Sequence, residues 1–157
     1  MNQRELMILH EFFYDLSYQS RKISLPGFKT FNDIQNKIDG TPVTKFDVKT
    51  DKFIRKRIKK IFSNHNILSE ESSSLNNFSD YTWVIDPIDG TKSYIAGRPL
   101  WGTMIALIFK HKPIISLVDL PCLNETWLGD NNNCYLNKKK FKSKKNYNVN
   151  IKDSVLA

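Results

Sequence analysis

The stretch Trp83-Val84-Ile85-Asp86-Pro87-Ile88-Asp89-Gly90-Thr91 constrains this chain more than any other. Tyr81, Trp83, Val84 and Ile85 are aromatic or β-branched, which predicts a buried strand. Pro87 has no N–H for a ladder, so the strand is expected to end there. That leaves Asp86 and Asp89 on a turn at the end of a strand, where a rigid sheet holds them. Close carboxylates repel one another and resist burial, and a divalent cation is the usual remedy. Oxygen donors with no His or Cys beside them favour Mg²⁺ or Mn²⁺ over zinc. Asp-Pro and Asp-Gly are also ordinary turn dipeptides. A plain turn, however, needs neither the apolar strand before them nor the Gly-Thr after them.

The chain has 157 residues, of which 40% are hydrophobic and 12% aromatic, which fits one folded domain with a real core. Its two cysteines, Cys122 and Cys134, have no metal spacing and suggest no disulfide framework. They read as reduced thiols in a cytoplasmic protein. Arg4, Glu5, His10, Glu11 and Asp15 interrupt the N-terminal stretch, so no signal peptide is expected. No apolar run is long enough to span a bilayer, and no membrane partner is expected. The net charge is +8, much of it in Lys138-Lys139-Lys140, Lys142, Lys144 and Lys145. No nucleic-acid motif or interleaved aromatic accompanies these lysines, so they read as a solvated hairpin tip or tail and no nucleic acid is expected as a partner.

Helical spacing of Leu6, Leu9, Phe13 and Leu16, widened by Ile8 and Phe12, predicts a helix over residues 3–24, stopped by Pro26-Gly27. Residues 31–37 read as a short strand or helix end, and Asp39-Gly40-Thr41-Pro42 as a turn. A second helix is predicted over residues 44–63, with Ile54, Ile58, Ile61 and Phe62 as its buried stripe. Then come the short apolar pair Ile67-Leu68, a polar loop over 72–79, the strand at 81–85, and a short helix from Thr91. A hairpin follows, with strands 103–110 and 114–119 joined at His111-Lys112-Pro113. A strand at 125–128, a turn at 129–133 and a last hairpin over 134–141 complete the pattern, with a polar, exposed tract at 142–150. The fold class this implies is α+β: two N-terminal helices packed on a mainly antiparallel sheet.

Two further acids stand out. Glu70 follows Ile67-Leu68 as Asp86 follows Trp83 to Ile85, so two strands ending in carboxylates can meet at one sheet edge. Asp47 lies in Thr44-x-x-Asp47, a capping-box spacing. It also lies two and three helical turns before Ile54 and Ile58, which puts it on the buried face, where an acid needs a partner. His10, His65 and His111 are scattered, pair with no serine or cysteine motif, and are assigned no chemistry.

Asp86-Pro87-Ile88-Asp89-Gly90-Thr91 resembles the signature of the inositol monophosphatase superfamily of Mg²⁺-dependent phosphomonoesterases. The likeness continues through Lys92-Ser93-Tyr94, Gly97-Arg98-Pro99-Leu100-Trp101-Gly102-Thr103-Met104, Asp119-Leu120-Pro121 and Glu125-Thr126-Trp127, and looks like the histidinol-phosphatase branch. Trp101 and Gly102 look like structural markers of that branch. The resemblance implies the N-terminal half of the layered sugar-phosphatase fold. Residues 1–150 would be a metal-site domain, and 151–157 would open a C-terminal α/β domain that supplies a further metal-binding aspartate and most substrate contacts. No Trp-Asp pair, the family's form of that aspartate, occurs in the chain, so a fragment, truncated product or split protein is expected, with an apolar face left bare.

The resemblance further implies two or three Mg²⁺ ions, with Mn²⁺ as an alternative. Their ligands would be Glu70, Asp86, the Ile88 carbonyl and Asp89. Asp47 and Thr91 would activate water together with Glu70, while Asp89, Gly90, Thr91 and Lys37 would hold phosphate, a start of helix being a good place for an anion. Ser69-Glu70-Glu71 departs from the family's Gly-Glu-Glu, and serine is expected to cost that loop some freedom of φ. The implied function is hydrolysis of a small phosphorylated metabolite, foremost histidinol phosphate in histidine biosynthesis, with full-length relatives as homodimers. Inositol monophosphatase and 3'-phosphoadenosine-type nucleotide phosphatase are alternatives of the same class. A non-catalytic metal- or phosphate-binding remnant or docking module is the alternative of another class.

Overall fold

A computed structural model describes residues 2–30 and 34–142. Helix α1 (Gln3–Ser24) starts in a reciprocal capping box between Asn2 and Glu5. It buries Leu9, Phe12, Phe13 and Leu16, as expected, and then Ser17, Ser20 and Ser24. Ile8, expected to widen the stripe, sits one step round the helix and is 60% exposed. A 3₁₀ turn at Leu25–Gly27 ends the helix, and a Cβ on Gly27 would lie 2.2 Å from the Phe46 ring. The expected strand is β1 (Ile34–Asn36), paired antiparallel with β2 (Pro42–Thr44).

Helix α2 (Lys45–Ile61) is capped by Thr44, whose hydroxyl accepts from the backbone N–H groups of Phe46 and Asp47. Ile54 and Ile58 are fully buried. Ile61 is not: the helix stops there, it is 53% exposed, and Phe62, turned out of the helical path, packs on Trp83 instead.

Strands β3 (Asn66–Ser69), β4 (Tyr81–Asp89), β5 (Gly102–Phe109), β6 (Lys112–Leu120), β7 (Glu125–Asp130), β8 (Cys134–Leu136) and β9 (Lys139–Phe141) form one seven-stranded sheet in sequence order. Only β3 and β4 run parallel; every other pair is antiparallel. Alternation sends Ile67, Trp83, Ile85, Ile105, Leu107, Ile115, Leu117 and Leu128 to the helix side, where they form one core with α1 and α2. Leu68 and Met104 point the other way and are 49% and 37% exposed. The fold is therefore α+β, two helices on a mainly antiparallel sheet.

Pro87 does not end its strand. β4 runs on to Asp89, and the missing N–H falls in a register shift between Asp86 and Asp89, where the ladder with β5 is interrupted anyway. The turn of the β5–β6 hairpin also lies earlier than expected. Lys110 and His111 occupy it with φ of 45° and 64°, and Pro113 joins β6 beside a second register shift. Asn137 and Lys138, at 49° and 67°, turn the β8–β9 hairpin in the same way.

Arg21 ties the end of α1 to the sheet. Its Nε and Nη2 donate to the two oxygens of Asp119, each at 2.7 Å, and Asp119 is fully buried. No helix among the described residues is long and apolar enough to cross a membrane. Lys144, Lys145, most of the polar tract expected at 142–150 and the domain start expected at 151–157 lie outside the described residues, as do residues 31–33 of the first expected strand.

Candidate active site

Asp47 is both a helix cap and a site residue. Its Oδ2 accepts from the backbone N–H (2.8 Å) and hydroxyl (2.5 Å) of Thr44, closing the capping box. Its Oδ1 is left for Thr91, whose hydroxyl lies 3.2 Å away. The same hydroxyl lies 3.0 Å from the Ile88 carbonyl oxygen. Asp47 is fully buried, and burial raises its pKa against the hydrogen bonds from Thr44 and Thr91 that favour the anion. Helix α3 (Thr91–Ile95) starts after Gly90, whose φ of 81° is a conformation that side chains rarely adopt.

Glu70 and Asp86 also meet. Ser69 pairs with Ile85 where β3 and β4 run parallel, so the strands end their pairing together and deliver one acid each. Burial first, then the negative charge of Glu70, then their hydrogen bond, push the Asp86 carboxyl up to about 8. Glu70 itself is held below its usual range, chiefly by Lys37. Of the two acids, Asp86 is thus the one that holds a proton more strongly. Asp89 is exposed at the end of β4, but its charge still adds to the rise at Asp86.

Lys37 comes from the β1–β2 hairpin and donates to Glu70 Oε1 at 2.9 Å and Glu71 Oε1 at 2.8 Å. Burial pulls its ammonium down, but the bonds and charges of Glu71 and Glu70 outweigh that and hold it above the usual range. Burial raises Glu71, against the pull of Lys37. Lys37 therefore sits among the acids as their cation, rather than free beside a phosphate. Among the described residues, no three Asp, Glu, His or Cys side chains converge on a common point. Glu70 and Asp86 pair, Asp89 stands apart, and Asp47 faces Thr91.

Asp86 Oδ1 is buried and has no hydrogen-bond partner. A half-buried carboxylate with an orphaned oxygen, raised by its acidic neighbours, is a group that a cation would relieve. All the donors are oxygens, so the set fits a hard divalent cation.

Two supporting residues escaped the sequence. Thr103 is fully buried and donates to the Pro87 carbonyl at 2.8 Å, pinning the register shift between Asp86 and Asp89. Asp51, one turn after Asp47, accepts from Ser69 and, at 2.6 Å, from Ser72. Ser69 does not have a positive φ, so the expected backbone cost of serine is absent. Trp101 is buried against Phe28 and Tyr94, and a Cβ on Gly102 would lie 2.6 Å from the Asp119 carbonyl, so both are structural. His65 is structural too: its Nδ1 accepts from Trp83 Nε1 at 3.1 Å.

A family model described as the inositol monophosphatase family matches residues 9–157. The chloroplastic bifunctional phosphatase IMPL2 of Arabidopsis thaliana is 43% identical over 106 residues, covering 66% of this chain and 31% of that protein. The histidinol-phosphatase of Mycobacterium tuberculosis is 34% identical over 94 residues, covering 60% and 36%. Among solved structures, the Thermotoga maritima IMPase aligns with a TM-score of 0.79 at 25% identity, covering 87% of this chain and 54% of that one. The chain thus spans between 31% and 54% of the length of these three proteins. With its signature turn, its paired acids and this match over nearly its whole length, the chain belongs to the inositol monophosphatase family.

Proposed function

We propose that this chain forms the metal-site half of a Mg²⁺-dependent phosphomonoesterase acting on a small phosphorylated metabolite, with histidinol phosphate the favoured substrate. The observation that carries the reading is Asp86: half-buried, with one oxygen orphaned and its carboxyl pushed up to about 8 by burial and by Glu70. Glu70, Asp86, Asp89 and the Ile88 carbonyl would hold Mg²⁺, or Mn²⁺ in its place. The ion supplies positive charge that acidifies water and offsets charge gathering on the phosphate.

The chain's own residues supply the rest. Thr91 has one hydroxyl proton and two acceptors in reach, so it can pass that proton to Asp47 while accepting another. Thr44 holds the Asp47 carboxylate in orientation for that exchange. Gly90, at a φ of 81°, would let the backbone turn close to a phosphate. The positive Lys37 lies at the acidic cluster and balances it. Similarity to a histidinol-phosphatase and to the bifunctional IMPL2 supports the substrate choice, and two free thiols support a cytoplasmic setting.

Phosphate release from histidinol phosphate, myo-inositol 1-phosphate and 3'-phosphoadenosine 5'-phosphate, each with Mg²⁺, tests the reading. Histidinol phosphate should be turned over fastest, and Asp86→Asn should abolish release. A second reading, a non-catalytic metal- or phosphate-binding remnant or docking module, is favoured by Lys37, which already pairs with Glu70 and Glu71. Mg²⁺ binding with no turnover of any substrate would select it. No Mg²⁺ binding at all would overturn the phosphatase and the metal-binding remnant and leave the docking module.

A further inference from the structure

Asp47 and Asp51 lie one turn apart on the same face of α2, and both are buried. Each holds a different acidic loop. Asp47 takes Thr91, and with it the segment that carries Asp86 and Asp89. Asp51 takes the hydroxyls of Ser69 and Ser72, which bracket Glu70 and Glu71. Those two residues sit just past the end of β3, where ladder support stops. The last backbone bond before the loop leaves the sheet is Glu70 N–H to Ile85 O, at 3.2 Å. Beyond it, the loop around Glu70 and Glu71 is held by Lys37, by the bond of Glu70 to Asp86, and by Asp51.

A buried carboxylate that accepts from two serine hydroxyls on both sides of a pair of acids is a clamp on those acids. Lys37 sits at the end of the exposed first strand of a small two-stranded hairpin, a less buried mount than α2. Asp51 sits on a helix packed into the main core, one turn from the residue that anchors the other loop.

We propose that Asp51, acting through Ser69 and Ser72, is a positioning residue that fixes Glu70 opposite Asp86, so that α2 sets the spacing between the two acidic loops. This rests on the metal-site reading above. The replacement of the family's glycine by Ser69 then adds an anchor, where the sequence suggested only a loss of backbone freedom. Outer partners of this kind orient the groups that bind a metal without touching it, and their loss typically weakens metal binding 10–100-fold.

Mn²⁺ binding to the full chain, followed by electron paramagnetic resonance, tests this alongside the melting temperature of the metal-free protein. The double variant Ser69→Ala, Ser72→Ala should weaken Mn²⁺ binding by about tenfold. Ser69→Thr, which keeps the hydroxyl, should bind like the parent. Asp51→Asn should weaken binding at least as far as the double variant. If Asp51→Asn fails to fold, the single variant Ser72→Ala, at a half-buried loop position, carries the test. A double variant that binds Mn²⁺ as tightly as the parent would overturn the clamp and leave the metal site standing. A parent that binds no Mn²⁺ would overturn the metal site and any positioning role with it. Weakened binding matched by an equal loss in Ser69→Thr would also overturn the clamp, because the hydroxyl would then not be what matters.

Discussion

The hydroxyl of Thr91 lies 3.2 Å from Asp47 Oδ1, across 44 residues of chain, while the other oxygen of Asp47 closes the N-terminal cap of its own helix. The carboxylate is thereby aimed by its own helix cap. On the proposed reading, Asp47→Asn puts an amide where the proton would be received and should lower kcat by about 10²–10⁴-fold, with KM much less affected. Thr91→Val should match it, and Thr91→Ser should keep most of the activity. Steady-state phosphate release is the measurement, and an Asp47→Asn variant with parental kcat would remove the pair from the chemistry.

Asp86 predicts a pH slope in the metal-free protein. A raised carboxyl keeps its proton in the folded state at pH values where the unfolded chain has already released it. Its contribution to stability is therefore full below the ordinary value of 3.8 and is lost as pH rises through about 8. Melting in the presence of a chelator should show the transition temperature falling between pH 5 and 8.5. Asp86→Asn should flatten that slope. Mg²⁺ should bind more tightly as pH rises over the same range, because it displaces the proton.

His65 gives the opposite sign. Its ring is stacked between Phe62 and Tyr81 at 5.0 and 4.6 Å, its Nδ1 accepts from Trp83, and burial lowers its pKa. The stability it contributes is present above its ordinary value of 6.5 and is lost as pH falls below that value. Denaturant titrations at pH 7.5 and 5 should show a loss that His65→Gln reduces. Equal losses in parent and variant would assign the acid sensitivity elsewhere.

The Arg21–Asp119 pair should be costly to break. Removing the guanidinium leaves a fully buried carboxylate to which, among the described residues, the Thr126 hydroxyl still donates. Arg21→Ala is expected to cost about 3–5 kcal/mol, measured by urea unfolding. Arg21→Lys should recover part of that and lose the two-pronged geometry. A loss below about 1 kcal/mol would mean that the pair is merely solvated.

Thr103 should matter through the loop it pins. Thr103→Val keeps the shape and removes the donor, leaving the Pro87 carbonyl buried without its side-chain partner, at a cost of about 1–3 kcal/mol. The same variant should also weaken Mn²⁺ binding, because Asp86 and Asp89 flank that carbonyl. Thr103→Ser should preserve both.

Period and punctuation made most of the elements legible. Leu9, Phe13 and Leu16 announced α1, and Thr44 with Asp47 announced the start of α2. The apolar runs at 103–110 and 114–119 announced the central hairpin. Errors came where local rules met the rest of the molecule. Pro87 reads as a strand end because it lacks a donor, yet the sheet absorbs it in a register shift held by Thr103, 16 residues away. Ile61 has the right spacing for burial, but α2 stops before the core reaches it. Asp51 is a case of a different kind. Its partners lie 18 and 21 residues on, across β3, and nothing local distinguishes it from a solvated acid. Around the signature, the meeting of Glu70 with Asp86 was readable from two strands that each end in an acid, and that of Asp47 with Thr91 from the family resemblance, while Asp89 stands apart. The ion pairs that bind Lys37 to Glu70 and Glu71 were not, because they depend on how the β1–β2 hairpin lies over the loop.

Among the described residues, the parallel strand β3 stands at the margin of the sheet, laddered to β4 on one side and held on the other by a single bridge between Ile67 and Leu75. Marginal strands open at lower free energy than central ones. On warming, the segment bearing Glu70 is therefore expected to loosen while the β4–β5–β6 centre still holds, and amide exchange at Leu68 should outrun that at Ile105. The family's chemistry would then be silenced by a partial melting that spares the body of the protein and reverses on cooling.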